Sequence, residues 1–340
     1  SFIRSEYGAG GMVGIMRNST LSDSAVYSTL VTGRVGDSNS QVMGGMVGLS
    51  DTNIYARSSV NGGTVDGEVV GTLMIEFTGG FVGSATGDIV TDSYATTDVI
   101  GQVNSGGFVG SSASSTYTRA YAGGSVIGTT NVGGFNGSSA LSMLTDSFAI
   151  GSVTGVTNVG GLIGRVQAIG GDVTNSTWDV TRTGQADCVG LDQGISYSTV
   201  CMTGINVASG MPDYFFNTTS NEPVDSWDFT TVWQTTLTLP TLRIAPGRAD
   251  NVSVVRTAQS LLVKWEPSAE SGGSTVTSYD LKFRPESSST YANITGLGPN
   301  APLQYTIAGL TPSTNYVVEI RAQSSRGPGT WTGFITSTSA

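Results

Sequence analysis

The chain has 340 residues, 38% of them hydrophobic, which is enough for two or three domains with buried cores. Its 48 glycines come with only 10 prolines and no Gly-X-Y period, which excludes collagen, and the absence of histidine removes the commonest general base, the commonest metal ligand and every Ser-His or Cys-His nucleophile. Before residue 246, 19 Asp and Glu face 8 Arg and no Lys, a net −11, whereas the remainder carries 6 acids against 7 bases, a net +1. This balance argues against nucleic-acid binding, and no run of about 18 apolar residues suggests membrane insertion.

The chain opens inside a repeat-like phrase, Tyr7-Gly8-Ala9-Gly10, and reads as part of something longer. The pattern of two glycines, two mostly apolar residues and a third glycine then recurs at Gly10–Gly14, Gly44–Gly48, Gly79–Gly83, Gly106–Gly110, Gly133–Gly137 and Gly160–Gly164. Counted from the second glycine, the steps are 34, 35, 27, 27 and 27. The unit is therefore 27 residues, and the first two steps carry insertions of 7 and 8. Further columns repeat in the same register: Tyr94, Tyr121, Phe148; Ala95, Ala122, Ala149; and Val99, Val126, Val153.

Each copy holds two or three short stretches of Val, Thr, Ser and aromatics between glycine turns, with no 3.6-residue apolar period and no helix caps. One copy cannot bury its own apolar face. Copies stacked about 4.8 Å apart pair their backbones in parallel and align equivalent side chains into ladders. The expected fold class is all-β, with a parallel β-solenoid (β-helix) over residues 1–165. The column Met12, Met46, Phe81, Phe108, Phe135, Leu162 is large and apolar in every copy and is expected to form the core ladder, while the next column includes Asn136. The aromatic column Tyr94, Tyr121, Phe148 is expected to fill core or corner, with an exposed contact ladder as the alternative. Asp92, Arg119 and Asp146 share a column, readable as an acid pair around an arginine or, more plainly, as a charge ladder whose neighbours attract across copies.

The glycine phrase, followed by Asp92-Ser93-Tyr94-Ala95 or Asp146-Ser147-Phe148-Ala149, resembles the GLUG repeats of microbial surface proteins. The resemblance spans roughly residues 8–243 and takes in Asn175-Ser176-Thr177-Trp178-Asp179, Trp227-Asp228-Phe229, Trp233 and Leu239-Pro240-Thr241-Leu242. It implies a surface location with adhesive or structural roles and brings no catalytic residues with it.

Residues 166–245 break the rhythm and hold Trp178, Tyr214, Phe215, Phe216, Trp227 and Trp233, expected to cap the open end of the stack. The end near Ser1 has no evident cap, and further copies or another molecule are expected to cover it. Cys188 and Cys201 lie too far apart for a Cys-x-x-Cys motif and lack zinc-ligand partners. In this setting they are expected to form a disulfide in an oxidising compartment.

Past Ala245-Pro246-Gly247, residues 246–340 read as seven strands near 250–256, 260–265, 276–284, 289–294, 303–308, 314–323 and 330–337, with turns such as Ser271-Gly272-Gly273 between them. An immunoglobulin-like β-sandwich is expected. Trp265 before Pro267, Tyr279, and Leu310-Thr311-Pro312-Ser313-Thr314-Asn315-Tyr316 make the segment resemble a fibronectin type III domain, in which Tyr316 would form the tyrosine corner. In the loop Ser325-Arg326-Gly327-Pro328-Gly329 a proline replaces the aspartate of an integrin-binding Arg-Gly-Asp, so a glycine-rich hairpin turn is expected there.

Sequons for N-glycosylation occur at Asn18, Asn136, Asn175, Asn217, Asn251 and Asn293, a number close to chance for so Ser/Thr-rich a chain. No calcium nonapeptide, phosphate loop or zinc spacing is present, and no cofactor is expected. The chain is expected to be no enzyme but a secreted, cell-surface structural or adhesive protein that self-associates into a filament, sheath or adhesin stalk. Alternatives are a carbohydrate- or ice-binding module using the ladder Thr91, Thr118, Thr145, and a polysaccharide-cleaving β-helix using Asp92 and Asp146. Glycans or other surface proteins are further candidate partners.

Overall fold

The computed structural model describes residues 2–5, 8–33, 41–67, 75–168, 171–193, 201, 219–236, 239–267, 275–300 and 302–340. Tyr7, Tyr214, Phe215, Phe216, Asn217 and the turn Ser271-Gly272-Gly273 lie outside these residues. The chain divides into two compact units, Ser1–Leu242 and Arg243–Ala340, a boundary slightly ahead of the one read from composition.

Strands of the first unit build three parallel sheets. One runs from Gly8–Gly10 through Gln41–Gly44, Ile75–Gly79, Val103–Gly106 and Thr130–Gly133 to Thr157–Gly160; a second runs from Val13–Arg17 to Val189–Asp192; the third has 14 strands. Register in the regular copies is the repeat itself, since Val82, Val109, Asn136 and Ile163 pair in turn. Between sheets the same register holds: the backbone N–H of Phe81 donates to the Phe108 carbonyl at 2.8 Å, Phe108 to Phe135 at 2.9 Å and Phe135 to Leu162 at 2.9 Å. Their rings stack at 4.6 and 4.7 Å, within 9° of parallel. Each copy is thus one rung of a stack, and the insertions lie chiefly between Gly33 and Gln41 and between Gly67 and Ile75.

Rungs approach closest at the glycine pair. A Cβ on Gly134 would sit 2.2 Å from the Gly161 carbonyl oxygen and 2.9 Å from the Ala149 Cβ, so neither the backbone above nor the side chain beside leaves room for a methyl group. Met46, Phe81, Phe108, Phe135 and Leu162 are at most 1% exposed. Met12 departs from the expected core ladder at 42% exposure, because among the described residues a rung lies against only one side of it. At the other end, Trp178 packs its indole over Gly161 and donates Nε1–H to the Gln185 carbonyl at 2.8 Å. A short helix, α1 (Val180–Thr183), follows, with Asp179 as its N-cap and Gly184 in the left-handed region as its C-cap. Cys188 and Cys201 are joined in a disulfide and pack against the end of the core, with the Cys188 carbonyl accepting from Leu162 and Ile163 N–H.

The second unit is an antiparallel two-sheet sandwich. Asp250–Arg256, Ser260–Glu266 and Gln304–Ala308 form one sheet; Ala292–Leu297, Val276–Pro285, Asn315–Ser324 and Thr332–Ser337 form the other with the short Gly327–Pro328. Trp265 and Tyr279 meet at 5.4 Å in its core. The Tyr316 hydroxyl accepts the Thr311 N–H at 3.0 Å, which is the tyrosine-corner bond. Gly327, at φ 107°, makes the hairpin turn that pairs Ser324 with Gly327.

Replacing Gly134 by alanine is expected to destabilise the first unit by about 1–3 kcal/mol through forced separation of two rungs. Thermal unfolding of the variant against the parent measures this; an unchanged midpoint would contradict the close approach.

Candidate functional site

The residues singled out as chemistry or contact candidates converge on one side of the stack. Tyr94, Tyr121 and Phe148 stack face to face at 4.9 Å, within 3° of parallel. They are buried rather than exposed, because Trp227 and Trp233 lie across them. Trp227 sits 5.6 Å from Phe148, Trp233 6.1 Å from Tyr94, and the two indoles 4.4 Å from each other. Polar edges are matched as well: the Tyr121 hydroxyl donates to the Pro240 carbonyl at 2.7 Å and the Tyr94 hydroxyl to Asn61 Oδ1 at 2.6 Å. Burial pushes both hydroxyls above the usual phenol range. These two tryptophans therefore brace the flank of the stack, and the expectation that they cap its end is corrected; of the described aromatics in that segment, Trp178 does so.

The charge column adjoins this face. Arg119 grips Asp92 with two parallel bonds, Nε to Oδ1 at 2.7 Å and Nη2 to Oδ2 at 2.9 Å, and Trp233 Nε1–H donates to the same Oδ1 at 3.1 Å. Asp146 Oδ1 accepts from Asn175 at 2.6 Å, and its backbone carbonyl accepts from Trp227 Nε1 at 2.9 Å. Two rungs earlier Arg57 holds Asp23 in the same two-point manner, at 2.7 and 2.6 Å. The full column reads Asp23, Arg57, Asp92, Arg119, Asp146, Asn175, every member at φ between 44° and 52°. Sequence reading reached only three of the six because the insertions shift the spacing, although Asp23-Ser24 and Arg57-Ser58 carry the signal. Hydrogen bonding to Asp92 raises the Arg119 pKa further, so this guanidinium stays charged. Both carboxylate oxygens of Asp92 are thus engaged by arginine and tryptophan, which ties its rung to the next and to the tryptophan brace.

Thr91, Thr118 and Thr145 are in register and half-buried on the outer face, flanked by exposed Ile89 and Met143. Of the sequons, Asn18, Asn251 and Asn293 are exposed and Asn175 is half-buried. Asn136 is corrected as a glycan acceptor: it is 3% exposed, with Nδ2 bonded to Ser112 Oγ at 2.6 Å. Among the described residues no group of three or more His, Cys, Asp or Glu is placed to hold a metal, and no helix is long and apolar enough to cross a membrane.

A carboxylate that sequence reading missed lies inside the stack. Asp88, 1% exposed, accepts the Asn53 N–H at 2.8 Å through Oδ1, while Oδ2 has no hydrogen-bond partner. Burial pushes its pKa from 3.8 up to about 6.

Residues 245–338 match the family model of the fibronectin type III domain. The C-terminal unit is a fibronectin type III domain. No curated protein matches the chain. Solved structures similar to it include one titled "Myokine structure", at 18% identity over 28% of this chain and 100% of that one with a TM-score of 0.25. Another is titin domains A168–A170, at 17% identity over 31% of this chain and 39% of that one with a TM-score of 0.27.

Replacing Trp233 by alanine is expected to cost about 3–5 kcal/mol and to unstack Tyr94 and Tyr121, read as loss of near-ultraviolet circular dichroism before the far-ultraviolet signal melts. Asp88 gives a pH test. Its folded pKa lies above its unfolded value, so its contribution to stability is fully present below pH 4 and is lost as pH rises through 6. That loss is about 3 kcal/mol. Asp88→Asn, which keeps the acceptor for Asn53, is expected to melt roughly 5–10 °C above the parent at pH 7.5 and level with it at pH 4.

Proposed function

We propose that the repeats form a β-solenoid of the GLUG type, which serves as the rigid body of an extracellular structural or adhesive protein, with the fibronectin type III domain as spacer or lateral binding module. One observation carries this reading: the functional groups that repeat along the stack are spent on holding rungs together. The charge column pairs internally, the aromatic column is covered by Trp227 and Trp233, and the phenylalanine ladder is core. Among the described residues, what is left for partners is the outer faces of the stack and the strand edges of its first rung, Gly8–Gly10, Val13–Arg17 and Thr20–Ser22, each paired with one neighbouring strand. Edges of this kind accept another strand, whether from further copies or from a second molecule. A disulfide and a fibronectin type III domain are typical of extracellular proteins, in keeping with a secreted location.

A second reading, a carbohydrate- or ice-binding module, draws support from the in-register ladder of Thr91, Thr118 and Thr145 beside Ile89 and Met143. An enzyme is the weakest reading, because Asp92 has no free carboxylate oxygen.

Electron microscopy and light scattering of the whole chain separate these. Rods or fibres that shorten with Met12→Asp, a change on the open edge, support assembly. Dispersed monomers that retain a ligand on a glycan array, or that inhibit ice recrystallisation, replace it with the binding reading.

A further inference from the structure

The apolar column Val47, Val82, Val109, Asn136, Ile163 is broken once, by Asn136. A polar residue in the core of an otherwise repetitive column calls for a partner, and half of Asn136 has one: Nδ2 donates to Ser112 Oγ. Its other half, Oδ1, is buried with no hydrogen-bond partner in the protein. Tyr117, 1% exposed, leaves its hydroxyl in the same condition. Two copies away in the same column the Tyr55 hydroxyl is matched by Ser50 Oγ at 2.6 Å, whereas the equivalent serine beside Tyr117, Ser112, takes the Asn136 Nδ2–H on its Oγ. Leaving both groups unmatched would be expensive, and a buried polar atom is normally satisfied by protein or by ordered water.

Asn136 and Tyr117 line the same small cavity, together with Ser139 and Ser142 and the apolar walls of Phe135 and Leu144. Its volume is about 10 Å³. That is the size of a single water, and four polar side chains around it meet the two to four contacts that a buried water makes.

We propose that Tyr117 and Asn136 build a binding site for one structural water inside the stack. The Tyr117 hydroxyl donates to the water. The water donates to Asn136 Oδ1 and to the hydroxyl oxygen of Ser139 or Ser142. Asn136 thus stands in the valine column as a water ligand shared with Tyr117 of the adjacent rung.

Two measurements on the full chain test this. A crystal structure that resolves ordered water is expected to show one molecule within hydrogen-bond distance of both Tyr117 Oη and Asn136 Oδ1. An unoccupied cavity, or a direct bond between the two side chains, overturns the proposal. The second is a double-mutant cycle by thermal unfolding with Tyr117→Phe and Asn136→Val, the latter supplying the residue type of the flanking rungs. Each single variant strands a ligand of the water and is expected to lower the midpoint by about 2–6 °C. The double variant strands neither and is expected to melt at or above the parent. Additive losses would refute a shared guest.

Discussion

The first unit depends on the backbone hydrogen bonds that run from each rung to the next in a register of 27 residues. Every other feature is a consequence of holding equivalent positions directly above one another at strand spacing. Like residues then meet like residues, which is favourable for flat apolar rings and for amides that both give and take a hydrogen bond. Phe81, Phe108 and Phe135 use the first solution. Asn104, Asn131 and Asn158 use the second: Asn131 donates Nδ2–H to Asn104 Oδ1 at 2.8 Å, and Asn158 donates Nδ2–H to Asn131 Oδ1 at 2.7 Å. A third solution serves one corner, where the side chain of each rung accepts the N–H of the previous one: Asn53 from Ser19, Asp88 from Asn53, Ser115 from Asp88 and Ser142 from Ser115.

The same constraint governs what the flank can offer. A repeated aromatic column is a natural contact surface, but here the segment after the repeats returns to cover it, and two indole N–H groups find acceptors on Asp92 and on the Asp146 backbone. The brace and the charge column are therefore one network, in which Asp92 answers to an arginine on the next rung and to a tryptophan 141 positions away.

Much of this was legible in the sequence. Spacing of the glycine pairs gives the period, the period gives the columns, and the seven strands of the C-terminal sandwich follow from their turns and alternation. What was not legible involves partners distant along the chain or set by position in the stack. Met12 belongs to the core column by residue type and is exposed, since among the described residues only the rung of Met46 lies against it. Trp227 and Trp233 are apolar and bulky, which suits either an end or a side, and the choice rests on contacts with residues from Tyr94 to Phe148. The Asn136 sequon is a three-residue pattern, and nothing in three residues reports burial. Asp88 looks like any turn aspartate until the rung is closed around it.

The alternating corner column has a bearing on how such a chain can change length. Each arginine in it neutralises an acid on the rung beside it, in the order Asp23, Arg57, Asp92, Arg119, Asp146. Deleting the copy that carries Arg119 would set Asp92 against Asp146, and duplicating any one of the copies from Asp23 to Asp146 would set like against like, an arrangement that is destabilising between neighbouring strands. Gain or loss of copies two at a time preserves the alternation. Electrostatics thus sets a parity on this column: an even change in copy number leaves each arginine beside an acid, and an odd one does not.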